Sequence, residues 1–479
     1  MRDEDDIRAP EADRQDGTGR QDGPRAEGGA MPSLYGVSDD LVRRAAGALD
    51  EGDAPAVRGL VAELHAADIA DLLERLSGDE RRSLVELLRD GFDPEILPHL
   101  AGNVRDQVIA QLGPRVLAEA LSVLDSDDAI YLIEDLDDDI QAALLATVPP
   151  ATRRALEESL AYPEYSAGRL MQRDLIAMPA FWTVGRAIDF LRETPDLPEE
   201  FYEIFVVDPR HKPIGAVPLA RMLRHPRKVL LRDIMDRDVD AISASVDQEE
   251  VARLFRHYSL ASAPVVDDQG RLIGVITFDD VVDVIQEEAE EDMALMAGVG
   301  SEVDVNAGLV RAVRQRMAWL GVNLGTALMV SSVIALFEAT IEQIVALAVL
   351  MPIVASMGGN AGTQTLTVAV RALALKELTP SNAMRIVMRE TGIGAINGLV
   401  FGIAVGVAAG LIFDPFIGAV LFCALFANML TAGLSGMLIP LALDRLKVDP
   451  AVSAGVFLTA VTDIVGFFAF LGLAQLVLL

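Results

Sequence analysis

The sequence predicts a multidomain membrane protein with an α-helical superhelical N-domain, an α/β region built on an internal repeat, and an all-α transmembrane domain of five helices. Three observations carry that prediction. Leucines and isoleucines recur at three- and four-residue steps between residues 38 and 160, the period of an amphipathic helix. A stretch of 20 residues returns 59 positions later within 168–290. Five apolar runs follow residue 316, each about 20 residues or more and so long enough to cross a bilayer.

Charge divides the chain in the same way. It holds 40 Lys and Arg against 72 Asp and Glu, a formal net charge of −32. Residues 311–479 contain nine of the cations and eight of the anions, which leaves 31 and 64, or −33, for residues 1–310. An acidic half this strong argues against nucleic acid as a partner, because phosphates need a cationic face. It suits divalent cations instead. The single Cys423 excludes an internal disulfide. The polar N-terminus has no apolar h-region, so no signal peptide is expected.

Residues 1–37 are rich in Gly, Asp, Arg and Pro and read as a disordered tail. From 38 to 160, Leu60, Leu64, Ile69, Leu72, Leu73 and Leu76, then Leu84, Leu87 and Leu88, mark short helices stacked in series. In 168–290, IFVVDPRHKPIGAVPLARML (204–223) aligns with APVVDDQGRLIGVITFDDVV (263–282), and Leu170-Met171 with Ile234-Met235. Each copy reads strand, helix, strand, turn, strand, helix, with turns at Pro209-Arg210-His211 and Asp268-Gln269-Gly270. This resembles a tandem pair of CBS domains, which implies ligand sensing rather than chemistry. Gly274, Thr277 and Asp280 have a Gly-x-x-Thr-x-x-Asp spacing that resembles the ribose-binding turn of nucleotide-binding CBS domains, and implies ATP as a modulator. The first copy has Pro218 and Arg221 at the Thr and Asp positions, so at most one such site is intact.

The apolar runs fall near 317–337, 344–368, 391–413, 416–442 and 451–479. Every Lys and Arg beyond residue 310 lies before the first run, between the second and third, or between the fourth and fifth. The positive-inside rule then places the N-terminus in the cytoplasm and the C-terminus outside a cytoplasmic membrane.

Asp463 stands near the middle of the fifth run, where a carboxylate costs roughly 2.5–3.5 kcal/mol on insertion scales. One reading is a protonated Asp hydrogen-bonded to a neighbouring helix; the other is a cation site on a wet cavity. Mg²⁺ suits the second, since it keeps several waters and takes one or two carboxylates. A C2 homodimer with its pore on the axis would supply two. In the second run, Pro352 and SMGGNAGTQT (356–365) suggest a broken helix whose free carbonyls, with Asn360, Thr363 and Gln364, face an ion's water shell. The alternative is a small-residue packing face. Two acid runs, 278–292 and 125–139, each hold eight carboxylates and no cation. In the first, Asp280, Asp283, Glu287 and Glu291 share a helical stripe, where like charges repel. They are either solvated faces or sites for divalent ions that relieve the repulsion.

The order of parts resembles the MgtE family of magnesium channels over about 38–479. The match is carried by YPEYSAGRLM (162–171), DDVVDVIQEEAEEDM (279–293), GGNAGTQ (358–364), FANML (426–430) with Pro440, and DPAVSAGVFLTAVTDIVG (449–466). The resemblance implies a dimeric pore in membrane lipid, with Asp463 and Gly466 on the ion path and Gly359 and Asn360 in the filter. It implies Asp280, Asp283, Glu288, Glu291 and Asp292 as gating Mg²⁺ ligands, and a plug-type helix near 303–316 in a 291–316 linker. Its acidic pair in the helical domain is broken here, because Asp127 is followed four residues on by Tyr131. Mg²⁺ transport closed by cytosolic Mg²⁺, without enzyme activity, is the function this implies. Rival readings are a membrane-tethered CBS sensor without transport and an intramembrane aspartyl protease; the protease needs two facing aspartates.

Overall fold

The computed structural model describes residues 37–300 and 309–479, apart from Asp135, Asp137, Asp196, Glu199, Glu200 and Pro380 and the side chains of Asp138, Arg311, Val452 and Ser453. The expected disordered tail, residues 1–36, lies outside that set. Val37, assigned to the tail on composition, is buried, and its carbonyl accepts a hydrogen bond from Arg75 at 2.6 Å.

The first part is a series of short helices: α1 (Asp39–Asp50), α2 (Ala54–Val61), α3 (Ala66–Arg75), α4 (Gly78–Leu88), α5 (Gly102–Leu112), α6 (Pro114–Ala120), α7 (Ser126–Ile133), α8 (Asp138–Leu145) and α9 (Pro150–Leu160). Their starts are capped by side chains. Ser38 accepts from the Leu41 N–H, Asp53 from that of Ala56, and Ser77 with Glu80 forms a capping box. Helices this short are marginal alone. One shared core containing Leu72, Leu73, Leu84, Leu97 and Leu121 holds them together. Two arginines recur as carbonyl caps. Arg81 of α4 donates to Leu73 O and Leu76 O at the end of α3, and Arg153 of α9 to Leu145 O and Val148 O at the end of α8.

The repeat forms two small sheets of identical order. After α10 (Ala167–Leu170), β1 (Ala177–Pro179), α11 (Val184–Glu193), β2 (Glu203–Val207), β3 (Pro213–Pro218) and α12 (Leu219–Leu223) make the first copy. After α13 (Leu231–Ile234), β4 (Ile242–Ser243), α14 (Gln248–Tyr258), β5 (Ser262–Val266), β6 (Leu272–Thr277) and α15 (Phe278–Met296) make the second. In each, the first strand pairs parallel and the third antiparallel to the second. Both turns are built alike: Asp208 Oδ1 accepts from the N–H of Arg210 and Lys212, and Asp267 Oδ1 from those of Gln269 and Arg271. The lead-in segments are exchanged. Met171 fills the space above Gly274 of the second copy, and Met235 that above Gly215 of the first. A Cβ on either glycine would lie 2.5 or 2.6 Å from the methionine sulfur.

The last part contains α16 (Leu309–Ala335), α17 (Glu338–Gln343), α18 (Ala346–Ala374), α19 (Ala383–Ile412), α20 (Pro415–Arg445) and α21 (Pro450–Leu478). All except α17 are long and apolar enough to cross a membrane. Helix α20 is the centre, packing against α18, α19 and α21, while α16 lies along α21. Close approach of α19 to α20 depends on Gly394, Gly398, Gly402 and Gly406, one turn apart, which face Met429, Phe426, Phe422 and Gly418.

Two expectations need correction. Helix α18 is continuous through Pro352, Gly358 and Gly359 rather than broken. Proline removes one hydrogen bond near the helix start, and Gly358 and Gly362 admit neighbouring helices instead of freeing carbonyls. Of the plug-type helix expected near 303–316, residues 303–308 lie outside the described residues; 291–296 end α15, and 309–316 are the first described turns of α16. Helix α19 begins at Ala383, eight residues before the predicted edge, and so carries Glu390, buried where Gly433 of α20 meets its backbone.

The glycine contacts predict opposite results for two alanine substitutions in α19. A Cβ at Gly394 would lie 2.5 Å from Met429 O, while one at Gly392 would meet nothing within 4 Å. Gly394→Ala should destabilise by about 1–3 kcal/mol, as overpacking does. Gly392→Ala should be neutral or stabilising by up to ~1 kcal/mol. Thermal midpoints of the detergent-solubilised protein check both.

Candidate functional site

Two groups of acids lie on different faces of α15. Thr277 caps the helix: its N–H and Oγ1 both donate to Asp280 Oδ2, at 3.2 and 2.7 Å. The stripe of Asp280, Asp283 and Glu287 faces the first part of the chain, where α7 presents Asp127 and Asp128. Asp127 is nearly enclosed and hydrogen-bonds Asp280; Gln172 donates to its Oδ2 at 3.3 Å. Its Oδ1 has no partner among the described residues. The Arg173 N–H donates to Ser126 Oγ at 2.7 Å and anchors the start of α7 here.

This crowding of carboxylates sets their proton affinity. Burial, then the charges of Asp280 and its neighbours, pushes Asp128 up to about 7, and burial with Asp283 and Glu134 pushes Glu287 up to about 7. Burial raises Asp280 to about 6, and burial with the charge of Asp280 raises Asp127 well above the usual carboxylate range. Glu95 and Asp283 rise for the same first cause.

The second group faces the membrane helices. Glu288 Oε1 accepts from Gln248 Nε2 at 2.9 Å. Asp292 is raised to about 6 by burial and then by Asp449, the N-cap of α21. Glu249 rises through burial and the charge of Glu288. Five residues read as one ligand set are therefore divided: Asp280 and Asp283 meet α7, while Glu288 and Asp292 meet α14 and α21. Glu291 lies between, half-buried. Among the described residues no three acids, histidines or cysteines converge closely enough to hold a bare ion. A cation that keeps its water shell needs no such cage.

In the membrane part, Asp463 is half-buried, and no ion pair or hydrogen bond to its carboxylate occurs among the described residues. It stands 13 residues beyond Pro450 of α21, and Asn360 stands 14 before Ala374 of α18. Both are about 20 Å from the helix end that meets α15, at 1.5 Å per residue. Ser356, Asn360, Thr363 and Thr367 form one exposed polar face of α18. Thr363 Oγ1 donates to Gly359 O at 3.0 Å, and Asn360 Nδ2 to Ser356 Oγ at 3.5 Å. Gly359 has open space beside it; Gly466, on α21, abuts Asn428. The inner ends of these helices touch α15 directly: Leu295 and Met296 share a cluster with Leu366, Val370 and Leu458.

The residues proposed for nucleotide have other duties here. Gly274 makes room for Met171, and Thr277 and Asp280 cap α15.

Three family models match parts of the chain: a divalent cation transporter model over 351–473, the MgtE intracellular N domain over 64–165 and a CBS domain over 231–287. The magnesium transporter MgtE of Thermus thermophilus is 32% identical over 439 residues, covering 90% of this chain and 97% of that one. The chain belongs to the MgtE family. The Bacillus subtilis magnesium transporter MgtE is 28% identical over 438 residues, covering 91% and 97%. A crystal structure of the cytosolic domain of the Mg²⁺ channel MgtE in complex with ATP aligns with 51% of this chain and 99% of that one, at 33% identity and a TM-score of 0.47. Membership agrees with the helical, α/β and five-span architecture. Sequence reading placed Asp127 and Asp128 in an acid run that could take divalent ions, but missed Glu95 and Asp449 as members of the acidic contacts. The spacing in 125–128 was the available signal for α7, but it took the tertiary contact to pair it with α15.

The raised acids predict a pH dependence. Each binds protons more tightly in the folded arrangement than in the unfolded chain, so folding takes up protons and stability falls as pH rises. In divalent-free buffer the full chain should lose thermal stability as pH rises from about 4 to about 7, that is from the ordinary carboxylate values to folded values of about 6 and about 7. Asp128→Asn with Glu287→Gln should flatten that slope.

Proposed function

We propose that this MgtE-family chain conducts Mg²⁺ across the cytoplasmic membrane as a homodimer, down the electrochemical gradient, and closes when cytosolic Mg²⁺ occupies the acidic contacts of α15. The carrying observation is Asp463: a half-buried carboxylate midway along α21, with no cation or donor beside it among the described residues, level with the polar face of α18. A polar helix face does not turn toward lipid. Placed on a twofold axis, that face and Asp463 would line one path, with two carboxylates for one hydrated ion. Gly359 lets backbone and water approach there, whereas Gly466, expected on the path, is turned onto Asn428 instead; Asn360 and Thr363 supply oxygens to the water shell. Apolar outer residues such as Leu411 and Phe416 would meet lipid. The clustering of Lys and Arg supports a cytoplasmic N-terminus and an external C-terminus.

Closure follows from charge. Like charges near a surface about 4 Å apart repel by roughly 4 kcal/mol at an effective dielectric of 20. Hydrated Mg²⁺ between Asp280, Asp283 and the α7 acids, and among Glu288, Glu291, Asp292 and Asp449, would turn repulsion into bridging. It must bind the compact form better than the separated one, since only differential affinity shifts an equilibrium. An adenine nucleotide would enter as a modulator and would have to share Thr277 and Asp280 with the α15 cap.

Two measurements test this. Asp463→Asn keeps the side-chain shape and should abolish Mg²⁺ uptake into proteoliposomes while leaving the thermal midpoint intact; uptake at the wild-type rate would remove Asp463 from the path. In solution scattering, residues 37–300 should contract in millimolar Mg²⁺ more than in NaCl of equal ionic strength. Neutralising Asp280, Asp283, Glu288 and Glu291 should suppress the contraction.

A further inference from the structure

Asn428 of α20 is wholly enclosed. Its Nδ2 donates to Val354 O of α18 at 2.8 Å, and its Oδ1 finds no donor among the described residues. Two glycines from different helices clasp the amide. A Cβ on Gly358 of α18 would lie 2.2 Å from Nδ2, and one on Gly466 of α21 would lie 2.6 Å from it. Three membrane helices thus meet at one side chain. A buried acceptor left without a donor is destabilising, and a leucine of similar size would avoid that, so bulk alone does not account for an asparagine here.

The contact sits beside the groups of the permeation path. Gly466 is three residues beyond Asp463, which places the two on adjoining sides of α21, and Gly358 is two residues before Asn360, which places those on opposite faces of α18. With Gly358 turned onto Asn428, Asn360 is turned away from α20; with Gly466 on Asn428, the rotation of α21 that carries Asp463 is set. We propose that Asn428 is a positioning residue for ion passage: by clasping Gly358 and Gly466 it fixes the separation and rotation of α18 and α21, and hence the width between their ion-facing groups. This rests on the reading of Asp463 and the α18 face as the path.

The test uses the full chain in proteoliposomes, with uptake measured against Mg²⁺ and the larger Ca²⁺. Asn428→Ala should raise the KM for Mg²⁺ and lower the Mg²⁺-to-Ca²⁺ uptake ratio, each by several-fold, with the maximal rate per folded protein less affected. Because that variant leaves a cavity and could fail to fold, Gly466→Ala provides a second arm. It drives a Cβ into the amide and should reduce uptake by about tenfold, since misplacement of the order of an ångström suffices for such losses. Combining it with Asn428→Ala removes the clash and should recover most of the rate, with the altered ion ratio retained. An unchanged KM and ion ratio in folded Asn428→Ala, or no recovery in the double variant, would overturn the positioning role. Asp463→Asn run alongside separates the two ideas: wild-type uptake by that variant removes the path reading itself, whatever Asn428 does.

Discussion

A carboxylate withdrawn from water without a cation beside it is unstable as a charge, and this chain does so at three levels. Asp127 and Asp280 face each other between α7 and α15, and burial raises both. Asp292 faces Asp449 at the membrane surface. Asp463 stands at mid-depth. Protonation or a divalent ion can relieve each arrangement, and the two compete. The net charge of −32 is therefore not only a solubility feature. Part of it is placed on faces that approach one another, and under the proposed function the compact arrangement would answer to the cation present. Hydrated Mg²⁺ fits contacts of this kind because no three ligands need to touch the ion at once.

The acids matter to the membrane helices because α15 is a continuous rod. Its first turn meets α7, its middle meets α14, and its last turn lies against the inner ends of α18 and α21 through Leu295 and Met296. Nineteen helical residues span about 28 Å at 1.5 Å per residue. A change of charge at Asp280 thus acts on the same body that touches Leu366 and Leu458. A second tie runs beside it, where Glu250 of α14 pairs with both Arg253 and Lys376, the latter just past the end of α18. That pair is partly exposed, and such pairs contribute little alone. The apolar contact of α15 is the stronger connection.

Much of this was legible in the sequence, and the rest was not for definite reasons. The 59-residue repeat gave both sheets and both turns, because matched Asp208 and Asp267 and the left-handed His211 and Gly270 recur in register. The five apolar runs survive as helices, with edges misjudged where charged residues such as Arg314 and Glu390 continue an existing helix. Paired glycines misled most. In α18 they admit Asn428 and Leu458, and a stripe of glycine looks the same in sequence whether it breaks a helix or admits a neighbour. The division of the α15 acids between two faces follows from 100° per residue, yet which face meets which partner depends on contacts over 150 residues apart in the chain.

The membrane helices combine a fixed level with a movable one. At mid-depth, α18, α20 and α21 are joined by a buried polar side chain and glycine contacts too close for a Cβ. Interiors packed this tightly shift between discrete arrangements rather than deform smoothly. At the inner ends the joint is apolar and includes α15, which belongs to the charged half of the molecule. A displacement of α15 therefore acts on the ends of α18 and α21 while the Asn428 contact resists change at the level of Asp463. Under the proposed function, gating and ion recognition would then be separate properties of the same two helices: one set where the acids are, the other set where the amide is.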